Sequence, residues 1–187
     1  MKIAITGNIG SGKSTISKYL ANKGYKVFSC DEYNNYLLND EEVLKKIKKK
    51  FPDAFEDDKL DKKKLAKIIF NNIDKKVELE NILHPLIIEE MLKRSNEVET
   101  FFAEVPLLFE ANLEDYFDTN LLVICDDKIT IDRLEKRGLN KEESISRINS
   151  QMNIEDKILR AKEIIYNNGN LEQLYKDVDK WLKNYVR

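Results

Sequence analysis

The sequence predicts an α/β protein whose centre is a mainly five-stranded parallel sheet with helices on both faces. Two observations carry that expectation. Short apolar runs of strand length alternate with longer, charged segments of helical period, which is the rhythm of β–α–β units. The first run, Ile3, Ala4 and Ile5, is almost uniformly apolar, as suits a strand buried on both faces, and a glycine-rich turn follows it at once.

The strands are expected at Lys2 to Thr6, Lys26 to Cys30, Phe101 to Val105, Leu121 to Cys125 and Glu163 to Tyr166. The glycine turn leads into a helix from Thr15 to Lys23, closed by Gly24 in the position where a left-handed residue ends a helix. Between the second and third strands lie roughly seventy charged, helix-forming residues, far more than a crossover loop needs, so residues 32–98 are expected to form a helical insertion. Within it, proline disfavours helical backbone at the residue before it, so His84-Pro85 predicts a break and a new helix from Pro85 to Arg94. The lysines at 45, 46, 48, 49 and 50 are flanked by acidic residues and read as a solvated helix face.

A second insertion, residues 127–158, is expected after the fourth strand. Its helices, Lys128 to Arg137 and Lys141 to Gln151, are separated by Gly138 and suit a mobile lid. At the end of the chain, Leu171, Leu174, Tyr175, Val178, Leu182 and Tyr185 fall on one face of a last helix that should pack on the core.

Composition limits the partners. With 42% hydrophobic and 35% charged residues the chain is globular, and at 187 residues it is expected to be one domain over 1–187 carrying both insertions. Its 32 Lys and Arg against 34 Asp and Glu leave a net charge of −2, so no basic field draws it to nucleic acid or to a membrane surface. The absence of a signal peptide or a membrane-spanning run points to the cytoplasm and to small-molecule partners. Cys30 and Cys125 have no metal-site or redox spacing and are expected as small buried hydrophobes.

Residues 7–14, Gly-Asn-Ile-Gly-Ser-Gly-Lys-Ser, match G-x-x-x-x-G-K-[ST] in full, between a predicted strand and a predicted helix. This makes the expected architecture a three-layer P-loop NTPase. The cradle for ATP is Gly10, Ser11, Gly12, Lys13, Ser14 and Thr15: backbone N–H groups converge on phosphate oxygens, Lys13 adds a full charge, and the Ser14 hydroxyl completes a Mg²⁺ shell. Glu104, ending the third strand, is a second candidate for Mg²⁺. A GTPase would need N-K-x-D, yet Asn140-Lys141-Glu142-Glu143 lacks the aspartate, and Val105 to Glu110 contains no D-x-x-G. Two helical insertions instead suit an acceptor site and a closing lid, the parts a kinase uses to exclude water.

Several blocks in order then carry a resemblance: TGNIGSGKST, Asp31, His84-Pro85-Leu86-Ile87, Glu104-Val105-Pro106-Leu107-Leu108-Phe109-Glu110, Arg133-Leu134 with Arg137, Arg147 to Gln151, and Asn167-Asn168-Gly169. Together they resemble the dephospho-CoA kinase family over nearly the whole chain. The resemblance implies ATP as donor and the ribose 3′-hydroxyl of dephospho-CoA as acceptor, and it puts His84 against the acceptor. Asp31, at the carboxyl end of the second strand, is the candidate to take the hydroxyl proton, its alternative being a helix N-cap. Arg133 and Arg137 lie one helical turn apart; Arg137 is the candidate phosphate clamp, and its alternative is an idle surface charge. Asn167 and Asn168 could border the adenine or form an ordinary turn. The chain departs from the common family pattern at Asn8, Ser29, Thr130 and Lys162, where a glycine, an aspartate, a glutamine and an aspartate are usual. Another small-molecule P-loop kinase, with a nucleoside, nucleotide or shikimate-like acceptor, and a nucleotide-binding regulator remain the alternatives.

Overall fold

The apolar run of β1 (Lys2–Thr6) forms the middle strand of a five-stranded sheet, with Ile3, Ala4 and Ile5 fully buried. The computed structural model describes residues 1–185, so the last two positions of the expected 1–187 domain lie outside the described residues. The sheet order is β2-β5-β1-β6-β7, with β2 (Lys26–Ser29), β5 (Phe101–Glu104), β6 (Thr119–Ile124) and β7 (Glu163–Tyr166). Every pairing in it is parallel. The chain divides into two compact units, Met1–Ser29 with Ser95–Arg187, and Cys30–Arg94.

In the first unit, alternation along the strands sends Ile3, Ile5, Phe102, Leu121, Val123 and Ile165 into one core cluster. Helix α1 (Lys13–Asn22) contributes Ile16 and Leu20 to it, and α9 (Leu171–Tyr185) contributes Leu174, Val178, Trp181 and Leu182. Gly24, at φ +92°, closes α1 as expected: its N–H bonds to the Ala21 carbonyl at 2.9 Å while the Tyr25 N–H reaches Leu20 at 3.1 Å. The expected face of α9 is corrected at both ends. Leu171 and Tyr185, in the terminal turns of the helix, are exposed, and Trp181 is buried.

After β6 the chain forms α6 (Asp127–Glu135), α7 (Lys141–Asn149) and α8 (Ile154–Arg160). Gly138, at φ +93°, separates the first two, and Asn140 with Glu143 forms a reciprocal cap that starts α7, a device worth about 1 kcal/mol. Helix α8 is a separate short element.

The second unit contains α2 (Cys30–Leu37), α3 (Glu41–Lys50), a hairpin of β3 (Phe55–Glu56) and β4 (Lys59–Leu60), α4 (Lys62–Asn71) and most of α5 (Ile73–Ser95). The lysine-rich face of α3 is solvent-exposed as expected, with Val43 and Ile47 turned inward. The hairpin, unforeseen in a segment so rich in charge, turns on Asp57 and Asp58, both at positive φ.

The expected break at His84-Pro85 is a correction: α5 runs unbroken through Pro85. Leu79, Leu83, Ile87 and Met91 recur every four residues along it and are all buried, and that continuous apolar stripe outweighs the hydrogen bond that proline removes. Cys30 is likewise the first residue of α2 and not the end of β2, and neither cysteine is fully buried. Among the described residues no helix is long and apolar enough to cross a membrane.

Candidate active site

The glycine loop joins the carboxyl end of β1 to the N-terminus of α1, where the helix dipole and unbonded N–H groups favour anions. Gly7 and Gly12 cannot be replaced by residues with side chains. Their φ angles are +146° and +106°, and an added Cβ would lie 2.3 Å from the Val123 carbonyl oxygen and 2.2 Å from Asn167 Nδ2 respectively.

The loop is braced from behind by three side-chain contacts. Asn167 Nδ2 donates to the Ser11 carbonyl at 2.8 Å, Arg133 Nη1 donates to the Gly10 carbonyl at 3.3 Å, and Arg133 Nη2 reaches the Asn167 carbonyl at 3.1 Å. A trans peptide sets its C=O and N–H in opposite directions, so holding the Ser11 carbonyl toward Asn167 turns the Gly12 N–H away from it. The N–H groups of Gly10, Gly12 and Ser14 donate to no acceptor among the described residues. This row of convergent donors is what a phosphate chain requires.

Lys13 is buried at the first position of α1, and its ammonium donates to the carbonyls of Gly7 at 2.8 Å and Asn8 at 3.1 Å. The charge therefore lies over the loop. Beside it, the Ser14 hydroxyl donates to Glu104 Oε1 at 2.6 Å, and Glu104 is itself buried at the end of β5. A hydroxyl and a carboxylate in contact are hard oxygen donors, the set that Mg²⁺ takes together with phosphate oxygens and water. Among the described residues no group of three or more His, Cys, Asp or Glu side chains could hold a metal by itself.

A cleft of about 720 Å³ opens alongside the loop, lined by Gly12, Thr15, Arg133, Arg137, Asn167 and Glu172 among others. The structure thus gathers Lys13, Ser14, Thr15, Glu104, Arg137 and the loop glycines in one unit. Arg133 and Arg137 differ in kind: the first is tied into the loop brace, with Nη1 also 3.3 Å from Cys125 Sγ, whereas the second is exposed at the cleft. Asp31 and His84 belong to the other unit. Asp31 lies exposed in the first turn of α2, and His84 is half-buried on α5. The two helices touch through Arg94, whose guanidinium lies 5.8 Å from the Tyr33 ring, and His84 stands ten residues before Arg94, about 15 Å along α5.

Two features escaped sequence reasoning. Asn167 braces the phosphate loop, and Gln151 accepts a hydrogen bond from the Ile9 N–H at 2.8 Å. The Asn-Asn-Gly turn did carry a usable signal, since it follows a strand of the parallel sheet at the end where ligands bind. Asn168 pins that turn, exchanging hydrogen bonds of 2.8 and 2.9 Å with Asp126 at the start of α6. Gln151 ends one of the blocks that carry the family resemblance, but nothing local marked its bond to the loop.

A parallel sheet, a glycine loop of open amides, a buried lysine and helical segments following β2 and β6 in the chain define a P-loop kinase. The dephospho-CoA kinase family model matches residues 1–173. Curated dephospho-CoA kinases of Fusobacterium nucleatum and Helicobacter pylori are 37% and 38% identical, over 97% and 98% of this chain and 96% and 97% of their own lengths. A crystal structure from Thermus thermophilus superposes with a TM-score of 0.90 at 33% identity, covering 100% of this chain and 98% of that one. Dephospho-CoA kinase from Campylobacter jejuni gives 0.69 at 30%, covering 98% and 96%. Shikimate kinase from Acinetobacter baumannii, at 0.58 and 16% over 100% and 95%, shares the fold. The chain belongs to the dephospho-CoA kinase family.

Proposed function

We propose that this chain transfers the γ-phosphoryl group of ATP to the ribose 3′-hydroxyl of dephospho-CoA, giving CoA and ADP, the last step of coenzyme A synthesis. The observation that carries the donor half is the loop, where the open N–H groups of Gly10, Gly12 and Ser14 stand beside the Lys13 ammonium. Membership of the family supports the acceptor half.

In this reaction the bond from the 3′-oxygen to Pγ forms as the bond from Pγ to the β–γ bridging oxygen breaks, and the hydroxyl proton passes to a base. Asp31 is assigned as that base, a carboxylate exposed just past the end of β2. The loop N–H groups and Lys13 hold the phosphates and offset charge on the transferring group, and Arg137 adds a guanidinium from the cleft side. Ser14 and Glu104 would hold Mg²⁺, which when bound neutralises phosphate charge. Residues 32–98 would hold the acceptor, with His84 some 15 Å of helix away from the Arg94 end and so suited to a part of dephospho-CoA remote from the reacting ribose. Residues 127–158 would act as the lid that excludes water. A cytoplasmic location suits an enzyme that draws on cellular ATP, and the near-neutral charge suits small-molecule partners over nucleic acid or membrane.

ADP release measured with dephospho-CoA, a nucleoside, shikimate or no acceptor tests this. Stimulation by dephospho-CoA alone, with phosphate found on the 3′-oxygen, is expected. Stimulation by another acceptor, or acceptor-independent hydrolysis alone, would overturn it.

A further inference from the structure

The Asn8–Ile9 peptide is held from both sides. Its carbonyl accepts Lys13 Nζ at 3.1 Å and the Ser11 N–H at 3.1 Å, while its N–H donates to Gln151 Oε1 at 2.8 Å. The peptide is trans, so these two groups point in opposite directions, and whatever fixes the N–H also aims the carbonyl that holds the Lys13 ammonium. Because Ile9 N–H can only donate, the carboxamide oxygen of Gln151 must face it.

Gln151 is itself held by an unusual element. Helix α8 is turned inside out: Lys157 is fully buried, whereas Leu159 is 84% exposed. Lys157 Nζ lies 2.8 Å from Glu110 Oε1, and the same oxygen accepts the N–H of Met152, the residue after Gln151, at 3.2 Å. Arg160, one turn on, donates to Glu114 Oε1 at 2.6 Å, to the Phe109 carbonyl at 2.8 Å and to Asn112 Oδ1 at 2.8 Å. Burying a lysine while a leucine faces water is a poor way to stabilise a helix, because desolvating the charge offsets much of what the ion pair returns. It is an effective way to hold one stretch of backbone in one place.

We propose that Gln151 is a positioning residue for Lys13, acting through the Asn8–Ile9 peptide, and that the Glu110–Lys157 pair keeps Gln151 in register with the loop. Three residues outside the phosphate-loop motif thereby set where the motif's lysine lies. The proposal rests on the reading of the loop as the ATP phosphate site, but not on the identity of the acceptor.

The test is a mutant cycle read by calorimetric binding of a non-hydrolysable ATP analogue with Mg²⁺, by kcat with dephospho-CoA, and by hydrogen exchange of the Ile9 amide. Gln151→Met keeps the length and removes the acceptor; Glu110→Gln with Lys157→Met removes both charges of the pair together, leaving neither unpaired. Each is expected to weaken analogue binding about tenfold, lower kcat by a similar factor, and speed exchange at Ile9. The triple variant should be no worse than Gln151→Met alone, because one interaction cannot be lost twice. Unchanged affinity and kcat in Gln151→Met would overturn the proposal. Multiplying effects in the triple variant would overturn the role of the ion pair. If the paired substitution does not fold, Glu110→Asp, which keeps the charge but withdraws the carboxylate from Met152 N–H, replaces it in the cycle. Binding of the analogue needs no acceptor, so wild-type protein that binds it but leaves dephospho-CoA untouched sinks the proposed acceptor and not this inference.

Discussion

Lys13 shows how much of the site's chemistry is concentrated in single groups. Its ammonium is buried and held by loop carbonyls, so its removal takes charge from the loop without opening a hole in the apolar core. Lys13→Ala is expected to lower kcat by about 10²–10³-fold or more, in the range seen when a preorganised donor is lost, with a melting temperature close to wild type. Near-normal turnover would remove the lysine from the mechanism. Asp31 is a different case, since it is exposed and the proposed function makes it the base for the acceptor hydroxyl. Asp31→Asn should cut kcat by about 10²-fold with ATP affinity unchanged; collapse of ATP binding would move Asp31 from the acceptor to the metal. Arg137→Ala should reduce kcat and kcat/KM together if the guanidinium meets the phosphoryl group chiefly in the transition state. A raised KM with normal kcat would mark a ground-state contact, and no change would mark an idle charge.

At the scale of elements, α1 is held from both ends. Its N-terminus belongs to the phosphate loop, and its other end is latched to α9, where Tyr19 stacks on Tyr175 at 4.1 Å and donates to Asp179 at 2.9 Å, and Lys23 pairs with Asp179 at 3.0 Å. Partial burial pushes the Asp179 carboxyl up, but the hydrogen bonds from Lys23 and Tyr19 outweigh it and hold the group below its ordinary value of 3.8. A carboxyl whose folded value is depressed stabilises fully above its unfolded value, and that contribution fades as pH falls through the folded one. Asp179→Asn should therefore melt below wild type at neutral pH, by no more than about 1 kcal/mol for so exposed a pair, and the gap should narrow as pH falls below the ordinary value of 3.8 and through the depressed folded one. A gap that persists in acid would assign the effect to packing. The helices themselves were legible from period and caps. The unbroken course of α5 was not, because the local bias of His84-Pro85 is overruled by a buried stripe that only the folded unit assembles.

For the whole molecule, nucleotide binding must appear as stability, because a ligand that binds only the folded chain shifts unfolding by mass action. An ATP analogue with Mg²⁺ at about 100 times its Kd should add about 2.7 kcal/mol, a rise of roughly 5–10 °C for a chain of this size. Differential scanning fluorimetry measures it. Lys13→Ala should lose most of the shift, and an undiminished shift in that variant would place the nucleotide away from the loop.

The sequence by itself determined the sheet, the helix that follows the loop and the loop's chemistry. Each depends on neighbours in the chain: an uninterrupted apolar run makes a strand buried on both sides, and glycines at fixed spacing make a turn that exposes N–H groups. It also carried enough ordered blocks to reveal the family. The tertiary structure alone decided what holds the loop. Asn167, Arg133 and Gln151 lie 156, 123 and 142 residues from their loop partners, and Glu110 meets Lys157 between segments far apart in the chain. No local pattern encodes which polar side chain will meet a given backbone group. That match is made only when the sheet brings the carboxyl ends of β1, β6 and β7 side by side, and the loops that leave them must satisfy one another's hydrogen bonds.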